Sequence, residues 1–389
     1  MIDINLIRTN KELVKENIRK KFQDQKLPLV DEVEEMDKKL RAIKKEGDEL
    51  RASRNALSSK IGLLMREKKI EEANQIKEQV KKNNERIAEI EKEEEVLAEK
   101  IKKDMMTIPN IIDASVPVGK DDSENVENER FGEPRVPDFE VPYHADILDS
   151  INGLDKESAG RTSGTGFYYL MGNAARLHEA MMYKIEGEDL YLVGTSEHSM
   201  IGKFKGQILT EQELPITMTS YSPCFRKEGG AHGLEERGLY RVHQFEKQEM
   251  IVICKPEDSM KWYEKMWKYT VDIFRNLNIP VRTLECCSGD LADLKVKSCD
   301  VEAWSPRQKK YFEVGSCSNL GDAQARRLGI RAKGENGTYL LHTLNNTVLA
   351  SPRALIAFLE NNVQKDGSIL VPKALQPYMG GQEKLLPRK

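Results

Sequence analysis

The residues best suited to chemistry lie close together at positions 223–249. Arg226, Arg241, Phe245 and Glu249 occur there on either side of a glycine-rich stretch. A guanidinium group binds phosphate through two parallel hydrogen bonds, and an aromatic ring can stack on a nucleobase. A carboxylate can bind an amine or a divalent metal. The set therefore indicates a pocket that holds ATP beside a substrate bearing an amine.

The runs around this segment predict two strands that would carry these side chains. ITMTSYS precedes it and MIVIC follows it, and both are typical of strands. The middle, KEGGAHGLEERG, is polar and rich in glycine, so it is expected to be a hairpin loop. The alternative is that the charges of an ordinary hairpin are merely exposed to solvent.

The same segment resembles motif 2 of the class II aminoacyl-tRNA synthetases, in the form found in seryl-tRNA synthetases. The resemblance rests on Phe-Arg-x-Glu at 225–228 and on Arg-x-His-x-Phe-x-x-x-Glu at 241–249. It implies that the arginine of the first motif binds the α-phosphate of ATP together with the substrate carboxylate. The implied ATP-binding residues of this segment are Arg226, Lys227, Glu228, Arg241 and Phe245, with Phe245 stacked on adenine and Glu228 bound to its amino group.

Two further segments resemble the serine-binding parts of that family. LVGTSEHSM matches the Thr-x-Glu segment that holds the serine amino group, and LHTLNNTVLASPRAL resembles motif 3. A Thr-x-Glu sequence by itself is more often a surface turn, so the order of the motifs carries the argument. The implied serine-binding residues are Thr195, Ser196, Glu197, Arg226, Glu249 and Thr347.

The resemblance also implies a site for Mg²⁺ and the outer phosphates of ATP. KKYFEVGSCSNL lies where the family contacts ATP and a divalent metal, which implies Glu313, Val314, Gly315 and Ser316 for ATP and, of these, Glu313 and Ser316 for the metal. Arg353 would face the γ-phosphate, although an arginine opening a helix is often only a surface ion pair. Arg226 and Arg353 are the implied catalytic residues.

Composition limits the class of protein. The chain has 389 residues, 39% hydrophobic and 32% charged, with a formal net charge of −3. No apolar run approaches the roughly 20 residues that span a bilayer, so no membrane association is expected. The six cysteines show no CxxC spacing, which predicts a cytoplasmic protein with reduced thiols and no structural zinc. Because the net charge is slightly negative, contacts with RNA would have to come from local basic patches.

Residues 31–104 differ from the rest because they follow a heptad pattern without proline. Apolar positions spaced three and four apart form two stripes, one from Val33 to Leu64 and one from Ile76 to Ile101. The pattern breaks near residues 65–73, which predicts two antiparallel helices of about 32 residues, each near 48 Å long at 1.5 Å per residue. The first stripe is interrupted at Gly47 and Arg54, and the second at Asn83 and Glu94.

A charged coiled coil is commonly a spacer or a dimerisation element. The stretch LRASRNALSSKIG, however, resembles the helical arm with which seryl-tRNA synthetases bind tRNA. The shape and backbone of double-stranded RNA are more accessible to side chains than its base edges. The predicted tRNA-binding residues are Arg51, Arg54, Lys60, Arg66, Lys68 and Lys69.

The rest of the chain predicts an α+β protein of two domains. Short strands and helices alternate after residue 135 without βαβ regularity, and neither a Walker loop nor a strand-associated GxGxxG occurs. The class II resemblance implies an antiparallel sheet flanked by helices. We expect an N-terminal tRNA-binding helical domain at 1–105 and a catalytic domain at 106–389, with a linker at about 106–135.

One part of the family pattern is missing. After GNAARLHEA at 172–180 the family continues through motif 1, the main dimer interface, but here Ala180 is followed directly by Met181 and by a segment that lies beyond it. The gap is either a real deletion, natural or engineered, or a segment that the intact protein contains and this sequence leaves out. A homodimer is expected for the intact form.

The function implied is that of an ATP-dependent serine–tRNA ligase that forms AMP. L-serine would react with ATP to give seryl-adenylate, and the seryl group would pass to the 3′ end of tRNA(Ser), with selenocysteine tRNA left open as a second acceptor. ATP is the implied co-substrate and Mg²⁺ the implied metal. Two alternatives remain: a non-catalytic paralogue acting as scaffold or regulator, and a relative that aminoacylates a carrier protein.

Overall fold

The structure is a computed structural model that describes residues 2–151, 192–226 and 239–387, together with the backbone of two short strands at 154–155 and 169–170. It divides into two compact units, Met1–Ile111 and Ile112–Lys389. The predicted loop at 227–238 and the junction of Ala180 with Met181 lie outside the described residues. No helix in the described ranges has an apolar stretch long enough to cross a membrane.

Helices account for the described part of the first unit. They are α1 (Ile4–Lys20), α2 (Leu27–Arg66) and α3 (Ile70–Thr107). The predicted antiparallel pair is confirmed, and at 40 and 38 residues both helices are longer than expected. They are longer because α2 begins upstream of the heptad pattern and α3 continues past it to the residues just before Pro109.

The interruptions in the heptad stripes have a packing explanation. Gly47 faces Ile90, and a Cβ atom added to this glycine would lie 3.3 Å from Cγ2 of Ile90. Ser53 faces Asn83, whose Nδ2 is 3.4 Å from the serine Oγ. As residue numbers rise along one helix, those of the facing residues fall, which shows that the helices are antiparallel. The small residue at Gly47 and the polar residue at Asn83 therefore fit the opposite helix.

Helix α1 packs on the end of the hairpin where α2 begins and α3 ends. Ile7, Val14 and Ile18 are buried against residues that include Val33 and Met105. An ion pair adds to this contact, because Arg8 donates to both carboxylate oxygens of Asp37, at 2.8 and 2.6 Å.

A seven-stranded antiparallel sheet organises the second unit. In chain order the strands and helices that matter here are β1 (Val126–Phe131), α4 (His144–Ser150), β2 (Leu154–Asp155), β3 (Tyr169–Leu170), α5 (Ser196–Gly202), β4 (Ile208–Thr210), β5 (Ile216–Phe225), β6 (Gln244–Cys254), α6 (Ser259–Asn276), β7 (Val281–Glu285), β8 (Lys297–Ser305), β9 (Lys310–Asn319), α7 (Ala323–Leu328), β10 (Arg331–Gly334), β11 (Gly337–Leu340), β12 (His342–Ala350), α8 (Ser351–Asn362), β13 (Ile369–Leu370) and β14 (Lys384–Leu385). The sheet order is β1-β7-β8-β9-β12-β6-β5. The predicted α+β class is confirmed.

The strands predicted around the glycine-rich segment are β5 and β6. They pair antiparallel from Ile216 opposite Ile253 to Phe225 opposite Gln244. Alternation along β6 separates two faces: Ile251 and Ile253 pack with α5 and the small β4-β10-β11 sheet, whereas Val252 packs with α6. Residues 245, 247 and 249 belong to the first of these faces, where the candidate site lies.

Candidate active site

A cavity of about 260 Å³ lies on the sheet of the second unit, between the starts of α5 and α8. Strands β6, β9 and β12 form its floor, and the residue that follows β5 forms part of its edge. Most of the site residues predicted from the sequence line it: Thr195, Glu197, Arg226, Arg241, Phe245, Glu313, Val314, Gly315, Ser316, Thr347 and Arg353.

Among the described residues, two of those predicted to bind ATP or serine do not line the cavity. Ser196 is buried in the first turn of α5, and Glu249 is fully buried in contact with Lys247 and Thr347, which do line the cavity. Lys227 and Glu228 lie outside the described residues, so their predicted contacts with ATP stay predictions.

The adenine end predicted for the cavity contains Arg226 and Phe245. The guanidinium carbon of Arg226 lies 5.3 Å from the centroid of the Phe245 ring. The main-chain nitrogen of Arg226 donates to the carbonyl of His243 at 3.0 Å, which continues the β5–β6 pairing by one residue. The Arg226 guanidinium and the Phe245 ring therefore lie side by side. The guanidinium is suited to a nucleotide phosphate and the ring to its base.

Glu197, which also lines the cavity, is held by two amides. Gln324 Nε2 donates to one carboxylate oxygen at 2.6 Å, and Asn345 Nδ2 donates to the other at 2.7 Å. Thr195 is the N-cap of α5, because its hydroxyl oxygen accepts from the main-chain nitrogen of Glu197 at 3.3 Å. The carboxylate is thereby oriented, and an ionised carboxylate keeps further acceptor capacity for an ammonium group.

Glu249 is paired with a buried lysine. Lys247 Nζ lies 2.6 Å from Glu249 Oε2, and the two side chains are 6% and 0% exposed. Burial raises the pKa of the Glu249 carboxyl, and the Lys247 ammonium opposes that shift. Thr347 Oγ1 also donates to Oε2 at 3.2 Å. Both contacts are made by Oε2, whereas Oε1 is buried with no hydrogen-bond partner among the described residues.

The predicted metal and phosphate end is rich in oxygen ligands. Arg353 NH1 donates to Glu313 Oε2 at 2.8 Å, and the Arg353 guanidinium lies 4.7 Å from the centroid of the Tyr240 ring. Burial and the nearby Glu313 charge raise the pKa of the Asp300 carboxyl to about 6. Two mutually repelling carboxylates beside the Ser316 hydroxyl form a hard donor set that suits Mg²⁺.

A buried histidine holds the main chain just before Tyr240. His144 Nε2 accepts from the main-chain nitrogen of Leu239 at 3.1 Å, one residue before Tyr240 in the cavity wall. Glu360 lies on the other side of this ring, 3.9 Å from Nδ1, and it also accepts from Arg307 Nε at 3.0 Å.

The sequence reasoning missed several residues of this site. Lys247 lies between Phe245 and Glu249 on one face of β6, and Asn345 lies two residues before Thr347 on β12, so strand alternation could have indicated both. Gln324 carried no such signal, because it reaches Glu197 from 127 residues away.

The predicted tRNA-binding residues lie along α2 and in the turn that follows it. Lys60, Arg66 and Lys68 are exposed, and no ion pair involves them among the described residues. Arg51 pairs with Asp48 and Glu91, and Lys69 pairs with Glu67. Arg54 is half-buried on the seam, in line with a partly structural role.

Two family descriptions match the chain. Residues 1–112 match the seryl-tRNA synthetase N-terminal domain, and residues 182–362 match the tRNA synthetase class II core domain of the G, H, P, S and T enzymes. The first match spans the first unit, and the second lies within the second unit.

Full-length relatives agree with these matches. A serine–tRNA ligase of Methanocella arvoryzae is 40% identical, over 99% of this chain and 100% of the relative. A crystal structure of seryl-tRNA synthetase from Pyrococcus horikoshii complexed with ATP has a TM-score of 0.92 at 35% identity and covers 100% of both chains. The cytoplasmic serine–tRNA ligase of Naegleria fowleri in complex with AMP has a TM-score of 0.89 at 28% identity, over 100% of this chain and 99% of that one.

The alignment with the Methanocella relative also bears on the missing motif 1. It extends over 433 residues, more than the 389 of this chain, so the relative contains residues that have no counterpart here.

Proposed function

The chain belongs to the seryl-tRNA synthetase family, and from this premise we propose that it activates L-serine with ATP and transfers the seryl group to the 3′ end of tRNA(Ser). The observation that supports this most directly is a single cavity lined by an arginine beside an aromatic ring and by an oriented carboxylate, Glu197. Such a cavity suits a nucleotide and an amino acid placed end to end.

The first step is attack of the serine carboxylate on the α-phosphate, with pyrophosphate as leaving group. The nucleophile is already ionised, so the site must stabilise charge rather than remove a proton. Arg226 is the residue proposed to bind the α-phosphate and the serine carboxylate together, as preorganised electrostatic stabilisation. Phe245 stacks on adenine, and Glu197 holds the serine ammonium.

Arg353 is proposed to stabilise the outer phosphates from the start of α8. Glu313 and Ser316, with Asp300 beside them, are the residues that would hold Mg²⁺. The ion, when bound, would neutralise negative charge on the pyrophosphate. Glu313 holds Arg353 in place through one carboxylate oxygen, and its other oxygen has no hydrogen bond within the described residues.

The test of this proposal is exchange of pyrophosphate into ATP, measured with each amino acid in turn. Serine and Mg²⁺ should suffice, without tRNA, and addition of tRNA(Ser) should yield the seryl ester. Exchange that depends on a different amino acid would overturn the specificity. Absence of exchange with every amino acid would favour a non-catalytic paralogue that acts as scaffold or regulator. Transfer of the amino acid to a carrier protein would favour a relative that aminoacylates carrier proteins.

The paired helices α2 and α3 are proposed to bind tRNA. Their charged surface includes exposed lysine and arginine residues near the turn at 67–69. Replacing residues 44–97 with a short loop keeps the packed contact of α1 with Val33 and Met105. This variant should retain pyrophosphate exchange with serine and lose transfer to tRNA. Transfer at the normal rate would show that the helices are only a spacer.

The assembly and compartment remain proposals as well. A homodimer follows from the family resemblance, and the chain's missing motif 1 is where that interface would lie. Size-exclusion chromatography with light scattering distinguishes the outcomes, since an active monomer would contradict the dimer. A cytoplasmic location stays a prediction that fractionation of cells would test.

A further inference from the structure

His144 is a buried residue that does not line the cavity but is bound to a segment that does. The residue is 2% exposed, and its Nε2 accepts from the main-chain nitrogen of Leu239 at 3.1 Å. A main-chain N–H group can only donate, so Nε2 carries a lone pair, and the hydrogen of the neutral imidazole is then on Nδ1. His144 is therefore the acceptor for the main chain that leads into Tyr240.

Glu360 on α8 favours this state of the ring. Its side chain is fully buried, and its Oε1 lies 3.9 Å from His144 Nδ1. This distance is too long for a hydrogen bond, and Nδ1 has no hydrogen-bond partner within the described residues. The carboxylate charge still favours a hydrogen on Nδ1, and Arg307 Nε holds the same carboxylate oxygen at 3.0 Å. The lone pair of Nε2 is thereby kept for Leu239.

The main chain at Leu239 sets the position of the Tyr240 ring. Leu239 is fully buried in the core of the second unit, so its N–H group would have no water to replace a lost acceptor. The next residue, Tyr240, lines the cavity. Its ring meets the ring of Phe312 in an edge arrangement, with 6.0 Å between the two centroids.

Tyr240 in turn contacts the cation proposed for the outer phosphates. The guanidinium carbon of Arg353 lies 4.7 Å from the centroid of the Tyr240 ring, which is within the range of a cation–π attraction. Arg353 also donates to the Glu313 carboxylate. A carboxylate and a ring therefore hold this guanidinium together, and the position of the ring depends on His144.

We propose that His144 is a positioning residue for the outer phosphates of ATP, acting on Arg353 through the main chain of Leu239 and the ring of Tyr240. This inference rests on the proposed function and adds to it a residue that lies outside the cavity. The residue contacts no substrate, so its whole effect must pass through the groups that it holds.

The effect should be confined to the β- and γ-phosphates. Arg226 and Phe245 are proposed for the α-phosphate and the adenine, and they lie where β5 pairs with β6. Phe225, next to Arg226, pairs with Gln244, next to Phe245, and the main-chain nitrogen of Arg226 donates to the carbonyl of His243. His144 takes no part in these contacts, so binding of the nucleoside monophosphate part should not depend on it.

The test compares the affinities of ATP and AMP, because AMP carries the adenine and the α-phosphate but no outer phosphates. Calorimetric titration with Mg²⁺ and without serine gives both Kd values. His144→Asn has no atom at the position of Nε2, so it should raise the Kd of ATP about 10-fold and change that of AMP by less than about twofold. His144→Gln keeps an amide oxygen that can reach the Nε2 position, and it should recover most of the ATP affinity.

A double variant tests the route of the effect. Arg353→Ala should itself weaken ATP binding, and adding His144→Asn to it should cause no further loss, because the two residues act in series. A further loss equal to that in the wild-type background would overturn the inference. His342→Asn is the matched control, since His342 is a partly buried histidine at the start of β12 that does not line the cavity. It should keep both affinities.

Tyr240→Leu examines the same route without changing His144, and it decides the matter if thermal melting shows that His144→Asn does not fold. It should produce the same selective loss of ATP affinity. Unchanged ATP binding in a folded variant, or an equal loss for ATP and AMP, would overturn the inference and leave the proposed function standing. The titrations contain no amino acid, so pyrophosphate exchange with an amino acid other than serine would overturn the proposed specificity alone.

Discussion

Arg353 donates to the side-chain carboxylate of Glu313 at 2.8 Å and to the main-chain oxygen of the same residue at 3.1 Å. Arg353, which is proposed to bind the outer phosphates, is thus positioned by Glu313, which is proposed to bind the metal. Because the contact joins the start of α8 to β9, it fixes two distant parts of the chain relative to each other. Loss of Glu313 should therefore affect both phosphate binding and metal binding.

The first prediction concerns Glu313→Gln, which keeps the shape of the side chain and removes its charge. Pyrophosphate exchange should fall by about 100-fold, and the Mg²⁺ concentration needed for half-maximal exchange should rise. Glu302→Gln is the control, since Glu302 lies opposite Glu313 in the β8–β9 pairing but forms its ion pair with Arg282. An unchanged Mg²⁺ titration would remove Glu313 from the metal site.

Arg226→Ala is the second prediction. The rate of pyrophosphate exchange should fall by about 100- to 1000-fold, because a donor aimed at the charge that develops in the transition state is lost. The exchange rate of Arg226→Lys should lie between those of the wild type and Arg226→Ala. An ammonium group keeps the charge but cannot form the paired contacts of a guanidinium. Arg331→Ala, at an exposed position of β10, is the control. A rate near that of the wild type would show that Arg226 is peripheral.

The third prediction uses the Glu360 cluster that supports His144. Burial would raise the pKa of the Glu360 carboxyl, but the nearby His144 ring and the hydrogen bonds from Ser305 and Arg307 outweigh it and leave the pKa below its usual value. A lowered carboxyl pKa contributes stability that is complete above the unfolded value of about 4.5 and is lost as the pH falls through the folded value.

Glu360→Gln should therefore lower the free energy of unfolding by about 3 kcal/mol at pH 7, as expected for a broken buried ion pair. The loss should be smaller at pH 4, below the unfolded value, because the unfolded chain there takes up a proton that the folded Glu360 carboxylate resists. Urea unfolding at the two pH values measures the difference. Asp138→Asn, at an exposed ion pair with Lys365, is the control. An equal loss at both pH values would contradict the assigned charge.

Local patterns in the sequence were sufficient to predict the main elements. The heptad stripes predicted α2 and α3 because each stripe depends only on neighbours three or four residues away. The strand character of the runs before and after the glycine-rich loop likewise predicted β5 and β6. The motifs then predicted which side chains belong to one site, and most of them line a single cavity.

Contacts between distant segments could not be predicted in this way. Gln324 and Asn345 meet Glu197 only because β12 and the start of α5 and α7 lie together in three dimensions. The partnership of Lys247 with Thr195 spans 52 residues, and in sequence this lysine looks like any charged residue at a strand surface. Its burial results from the packing of the whole sheet, which no local pattern contains.

The last prediction concerns the proposed tRNA contact along α2. Arg51 and Lys69 already have carboxylate partners, whereas Lys60, Arg66 and Lys68 are exposed without an ion pair among the described residues. A side chain that neutralises a phosphate releases a counterion, so each contact adds to the salt dependence of binding. The three residues without partners should therefore contribute most.

Replacing Lys60, Arg66 and Lys68 with glutamine should weaken tRNA binding at low salt. The slope of log Kd against log salt should fall by roughly 2 to 3, if each residue contacts one phosphate. Pyrophosphate exchange with serine should not change, because none of the three lines the cavity. Lys102→Gln/Lys103→Gln, exposed at the other end of α3, is the control. An unchanged slope for the triple variant, with binding intact, would show that tRNA contacts a different surface of the protein.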